Sequence, residues 1–138
     1  LAWNPLARRL LGGEHDTPPN LMRLLFLDAH TRELYSRWDE EAERAVASLR
    51  LVAGRYADDE RMASLVGELS LKSPEFAALW SRHPVVTCAS GTKQFHHPVV
   101  GHLELQFEMM ELPGDAGQRL LVYSAEPGSA SEAAFLLL

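Results

Sequence analysis

A single cysteine, Cys88, leaves the chain no internal disulfide, which fits a reducing cytoplasm. No apolar run approaches the roughly 20 residues that a membrane-spanning helix needs, so no helical span is expected. Nor is there a signal peptide at the start. Residues 1–11 carry Trp3, Asn4, Pro5, Arg8 and Arg9 where an uninterrupted apolar stretch is required. Positive charge is scarce, with 13 basic residues against 19 acidic ones and a net charge of −6. A nucleic-acid surface needs clustered Lys and Arg to replace the counterions on phosphate. Here the basic residues are interleaved with acids, as in Arg32-Glu33, Arg37-Trp38-Asp39-Glu40 and Glu60-Arg61. The chain is not expected to bind DNA by itself.

Catalytic signatures are missing too. Gly91-Thr92-Lys93 has neither the spacing nor the following helix of a phosphate-binding loop. No serine sits in a nucleophile elbow, and Cys88, in an expected strand, has no activating neighbour in sequence. What remains is an ordinary globular composition of 138 residues, 46% hydrophobic and 23% charged, enough for one domain with a real core. Leu1 in place of methionine points to a segment lost from the N-terminus.

The patterning divides the chain into helices followed by strands. Asn4-Pro5 is a helix cap with a pre-set first turn, which predicts a short helix over 5–11 that Gly12-Gly13 ends. Residues 21–27 are apolar except for Arg23, rich in Leu and free of β-branched residues. They read as a helix buried on all sides. After Asp28, apolar residues from Leu34 to Val52 recur every three or four positions. They predict one continuous helix over 31–53, about six turns and roughly 33 Å long, ending near Gly54. Asp58-Asp59 caps a second helix with Met62, Leu65, Val66 and Leu69 inward. Ser73-Pro74-Glu75 starts a third, carrying Phe76, Leu79 and Trp80.

Beyond His83-Pro84 the period falls to two. Strands are expected at 85–88, 92–97, 102–110 and 119–125, with turns at Ser90-Gly91, 98–101 and 113–117 and a closing helix within 129–138. Leu103, Leu105, Phe107 and Met109 alternate with polar neighbours, as in a half-buried antiparallel strand. The class is α+β, with an antiparallel sheet packed against several helices.

Two groups of residues invite a functional reading. His97, His102 and Glu104 can supply three ligands to a divalent metal if a hairpin brings them together. The plainer alternative makes His97 part of a turn and His102 a solvent-facing strand residue, and no metal is assigned. Arg23 lies inside an apolar run, where an unpaired charge costs several kcal/mol. Its plainer partners are Asp28 or an acid of the second helix, or it snorkels to the surface. Its functional role is the polar end of an apolar pocket. The aromatics Trp3, Phe26, Tyr35, Trp38, Phe76, Trp80 and Phe107 serve a core or a pocket wall equally well.

Several stretches together resemble one family. LAWNPLARRLLGG at 1–13, NLMRLLFLD at 20–28, RELYSRW at 32–38 and AVASLR at 45–50 are similar to the MmyB-like ligand-binding domain of bacterial transcription regulators. So are GRYADDERMASLVGELSLKSPEFAALW at 54–80, GTKQFHHPVVGHLELQFEMMELP at 91–113 and QRLLVYSAEPGS at 118–129. The resemblance implies a PAS-like fold that follows a helix-turn-helix domain of the Xre type, a domain not present in this chain. It implies a small, largely apolar ligand, such as a fatty acid or a secondary metabolite, held between sheet and helices. It carries no catalytic set and no cofactor. Ala29 and Ser36 stand where proline is expected from the family, and both favour an unbroken helix.

The leading expectation is therefore a cytoplasmic, non-enzymatic sensor domain that can also contribute to a homodimer. It touches DNA only through the missing domain, with no membrane partner. The candidate ligand-binding residues are Arg23, Phe26, Tyr35, Trp38, Trp80, Leu105 and Phe107. The rival readings are an oligomerisation module with a filled core and no ligand, and a small metal-dependent enzyme built on His97, His102 and Glu104.

Overall fold

A computed structural model describes residues 2–11, 20–82, 89–112, 114 and 117–138. The expected strand at 85–88 with Cys88, the helix stop at Gly12-Gly13 and most of the turn at 113–117 lie outside them. Helix α1 (Pro5–Leu11) starts where Asn4 Oδ1 accepts the Ala7 N–H at 2.7 Å. Helix α2 (Leu21–Leu27) starts on Asn20, whose side-chain oxygen accepts from Met22 N at 2.9 Å and Arg23 N at 3.3 Å. These are the cap bonds that satisfy otherwise orphaned donors of a first turn.

Helix α2 is not buried all round, contrary to the reading of its apolar run. Leu24, Leu25 and Phe26 are buried, whereas Leu21 and Leu27 are exposed and Arg23 reaches outward. Among the described residues the helix packs against α3, α4 and α5, and these leave its Leu21 and Leu27 edge exposed.

The single helix expected over 31–53 is in fact two. Helix α3 (Ala29–Leu34) is capped by Asp28, and α4 (Trp38–Arg55) begins after an interruption at Tyr35, Ser36 and Arg37. At Tyr35 the backbone turns extended and pairs antiparallel with Phe95. The Ser36 N–H donates to the Gln94 carbonyl at 3.0 Å. The rings of Tyr35 and Phe95 then meet at 5.1 Å between centroids. Tertiary pairing with a strand thus replaces the helical hydrogen bonds that the local sequence favours. Ala29 and Ser36 do not give an unbroken helix.

Helices α5 (Glu60–Lys72) and α6 (Pro74–Arg82) follow as expected, capped by Asp59 and by Ser73, whose Oγ accepts from Phe76 N at 3.1 Å. Strands β1 (Ser90–His97), β2 (Gly101–Glu111) and β3 (Arg119–Ser124) form an antiparallel sheet in the order β1-β2-β3. Ser90 and Gly91 belong to β1 rather than to a turn. Gly91 pairs with Phe107, and a Cβ on it would stand 3.1 Å from the Phe107 ring. Helix α7 (Ala130–Phe135), capped by Ser129, packs on β2. The class is α+β.

Two cores result. Leu25, Phe26, Trp38, Val46, Leu69 and Phe76 fill the space among α2, α4, α5 and α6. Leu10, Leu34, Phe95, Leu103 and Leu105 form the second, between the sheet and helices α1 and α3. Helix α4 belongs to the first core, and its other side looks toward the sheet across the space described next.

Candidate functional site

Between α4 and the inner face of the sheet lies a cavity of about 560 Å³. Ala45, Ser48, Leu49 and Val52 of α4 form one wall, and Phe107, Met109, Leu121 and Tyr123 of the sheet form the opposite one. Leu21, Met22, Leu24 and Leu25 of α2 close a third side. The register explains the sheet wall: Phe107 faces Tyr123 and Met109 faces Leu121, so all four side chains fall on one face. The volume is within the range of small-molecule sites, and the lining is mostly apolar with a few convergent polar groups.

Those polar groups gather at two places. At one end stands Lys93, on the inner face of β1 in line with Phe95 and opposite Leu105. Its ammonium binds the Glu41 carboxylate of α4, and the two side chains retain only 9% and 13% exposure. The ammonium also lies 4.8 Å from the Phe107 ring centre, 5.7 Å from that of Tyr123 and 5.8 Å from that of Tyr35. Attraction to ring faces strengthens as the cation is desolvated. Arg44 stands alongside, 3.2 Å from Glu40 and 4.0 Å from Glu41.

The two tyrosines complete this end. The hydroxyls of Tyr35 and Tyr123 are hydrogen-bonded to each other, and Lys93 bonds the Tyr123 oxygen as well. Burial pushes the Tyr35 phenol well above its usual range, and the nearby Tyr123 and Glu41 push the same way. Burial raises Tyr123 as well, with Lys93 opposing the shift. Both phenols therefore stay protonated and available as hydrogen-bonding groups.

At the other end Arg119 donates to Ser48 Oγ at 3.2 Å, and its Nε lies 3.8 Å from Glu111. Arg55 approaches the same carboxylate at 3.6 Å. Leu21 and Leu51, both exposed, mark the rim, so the cavity is a half-open one.

The residues singled out from sequence fall in different places. Tyr35 and Phe107 line the cavity. Phe26, Trp38 and Trp80 sit in or against the helical core, where Trp38 Nε1–H donates to the Leu25 carbonyl at 2.9 Å. Leu105 is fully buried in the second core. Arg23 pairs with Glu68 of α5 at 2.8 Å with its side chain half exposed. Lys93, Glu41, Arg44 and Tyr123 were not singled out. Lys93 was legible to this extent, that it falls two residues before Phe95 on a period-two strand and so shares its inward face.

The histidines are arranged against a shared metal. His102 pairs with His96 and Glu104 with Gln94 on the outer face, whereas His97 pairs with Gly101 and turns inward. His97 Nε2 bonds the Arg9 carbonyl at 3.0 Å, and its Nδ1 accepts from Val99 N at 3.2 Å. Both ring nitrogens are thereby occupied in tying α1 to the hairpin. Among the described residues no group of His, Cys, Asp and Glu is disposed to hold a metal, and no helix is long and apolar enough to cross a membrane.

No curated protein matches the chain. A family model does, over residues 1–138, and the chain belongs to the family it describes, the MmyB-like transcription regulator ligand binding domain.

Proposed function

We propose that this domain is the sensor of a bacterial transcription regulator and holds a small, largely apolar molecule in the cavity between α4 and the sheet. The observation that carries the reading is that cavity, about 560 Å³ in a domain of 138 residues, with apolar walls and a buried polar end. A fatty acid or a secondary metabolite of similar polarity matches such a lining. The polar side chains around it are tied to one another, and the lining hydroxyl that meets a carboxylate, Thr31, spends that bond on Asp28 at the cap of α3. We therefore read the domain as non-enzymatic and needing no cofactor.

In the same proposal an attached helix-turn-helix domain of the Xre type contacts DNA in the cytoplasm, and a homodimer presents two such domains. A ligand that fits one arrangement of α4 against the sheet better than another shifts the population between them. Native mass spectrometry of the purified protein, followed by extraction of whatever it releases, tests the reading. A co-purifying apolar molecule supports it and names the ligand class. A clean protein mass together with no thermal shift from a panel of fatty acids overturns it in favour of an oligomerisation module.

A further inference from the structure

The charges around the cavity run against those of the chain. The protein carries −6 overall, yet among the described residues the cavity is lined by Arg44, Arg55, Lys93 and Arg119 against Glu41 and Glu111. Four bases face two acids in a pocket whose walls are otherwise apolar. Of the four, Lys93 is the least exposed, and its field is the least screened by water. It is also the only one backed by three aromatic rings.

We propose that the cavity takes an amphiphile with an anionic head, that Lys93 binds this head, and that Glu41 is a built-in competitor for the same ammonium. The proposal rests on the ligand reading above, whose fatty acids already carry such a head, and adds to it the residue that holds the head and the exchange that follows. Glu41 is placed to yield. Its second oxygen lies 4.0 Å from Arg44, so a carboxylate arriving at Lys93 leaves Glu41 a second cation on its own helix. The exchange conserves charge pairing: one carboxylate replaces another at Lys93, the displaced Glu41 takes Arg44, and Glu40, which spans Arg44 and Arg37, keeps Arg37.

It also cuts a tie between layers. The Lys93–Glu41 pair joins β1 to the first turn of α4, whereas a Glu41–Arg44 pair lies within α4. A ligand that makes this exchange distinguishes two arrangements of helix and sheet, which is what a population shift demands of it. A ligand with a neutral head leaves the tie in place.

The test is calorimetric titration of the protein with dodecanoate and with dodecanol, which share a tail and differ in the head. The wild type is expected to bind dodecanoate about tenfold more tightly than dodecanol, the equivalent of one good charge-assisted contact. Glu41→Gln removes the competitor, and dodecanoate affinity is expected to rise about tenfold with dodecanol changed by less than about twofold. Lys93→Gln is expected to bring dodecanoate down to the level of dodecanol. Retained dodecanol binding then shows that this variant is folded.

Equal affinity of the wild type for both probes overturns the anionic-head inference and leaves the apolar-ligand reading standing. So does a Glu41→Gln variant that binds dodecanoate no better than the wild type. Preference for dodecanoate that survives Lys93→Gln but is lost in Arg119→Gln moves the head to the other end of the cavity and refutes the exchange. Binding of neither probe removes the apolar-ligand reading itself, and this inference falls with it.

Discussion

The inner face of the sheet has two halves that look alike in sequence and differ in the fold. Toward His97, Phe95, Leu103 and Leu105 are fully buried beneath Leu10 of α1 and Leu34 of α3. Toward Glu111, Phe107, Met109, Leu121 and Tyr123 face the cavity instead. Alternation along a strand decides which face a side chain takes. It does not decide what stands opposite. That is set by α1 and α3, seven and six residues long, which cover only one half. The break at Tyr35 then lets α4 pass the other half with a space between. A filled half supplies stability, and an unfilled half supplies a place for a ligand.

The sharpest way to break this comparison is to truncate one residue in each half. Phe95→Ala removes a fully buried ring that meets Tyr35 at 5.1 Å and Tyr123 at 5.8 Å between centroids. It is expected to cost about 3–5 kcal/mol in urea unfolding, the range for a large aromatic removed from a packed site. Met109→Ala, on the cavity wall, is expected to cost about 1 kcal/mol, since its side chain already lacks partners on one side. Equal losses at the two positions would mean that the cavity half is packed as well as the other.

Helix α4 offers a second test on one element. Ala42 is fully buried in the helical core, and Ala45, one turn on, lines the cavity. Ala42→Leu forces extra methylenes into filled space and is expected to cost about 1–3 kcal/mol. Ala45→Leu places the same atoms against open volume and is expected to be neutral or to stabilise by up to about 1 kcal/mol, as cavity-filling changes do. Ligand binding should respond in the opposite sense, weakened by Ala45→Leu through lost volume. A destabilised Ala45→Leu variant would show that the space between α4 and the sheet is too narrow to hold a ligand.

How much of this was legible follows the same divide. The caps at Asn4, Asp59 and Ser73 and the inward set Leu103, Leu105 and Phe107 depend on local chemistry and local period, and they appear where the sequence places them. The break at Tyr35 was hidden because its cause is a strand sixty residues away: the partner of Tyr35 is Phe95. The placement of the candidate residues failed to separate core from wall for the same reason. Trp38 and Phe107 are both apolar, aromatic and inward, and only the neighbouring helices send one to a filled core and the other to a cavity. The polar end was missed although Lys93 shares a period-two face with Phe95, the one local sign that the site leaves in the sequence.

The smallest expected effect sits where the two halves meet, at Tyr35, which packs against both cores and lines the cavity. Tyr35→Phe keeps the ring and removes the hydroxyl bonded to Tyr123, so at neutral pH the loss is expected to be about 1 kcal/mol. Alkaline pH separates this hydrogen bond from mere ring packing. The folded protein holds the Tyr35 phenol well above the ordinary value of 10.0, chiefly by burial, so it keeps its proton where the unfolded chain releases it. That contribution is fully present below pH 10.0 and is lost as pH rises from there through the folded value. The wild type should therefore fall more steeply than Tyr35→Phe in unfolding free energy above that pH, and the two curves should converge. Groups that do not touch Tyr35 are shared by both proteins and cancel in the comparison, which leaves Tyr35 and its bonded partner Tyr123. Parallel curves would show that the Tyr35 hydroxyl is hydrated as it is in the unfolded chain. The polar end of the cavity would then be wet, and Lys93 would hold an anion there no more strongly than an exposed lysine does.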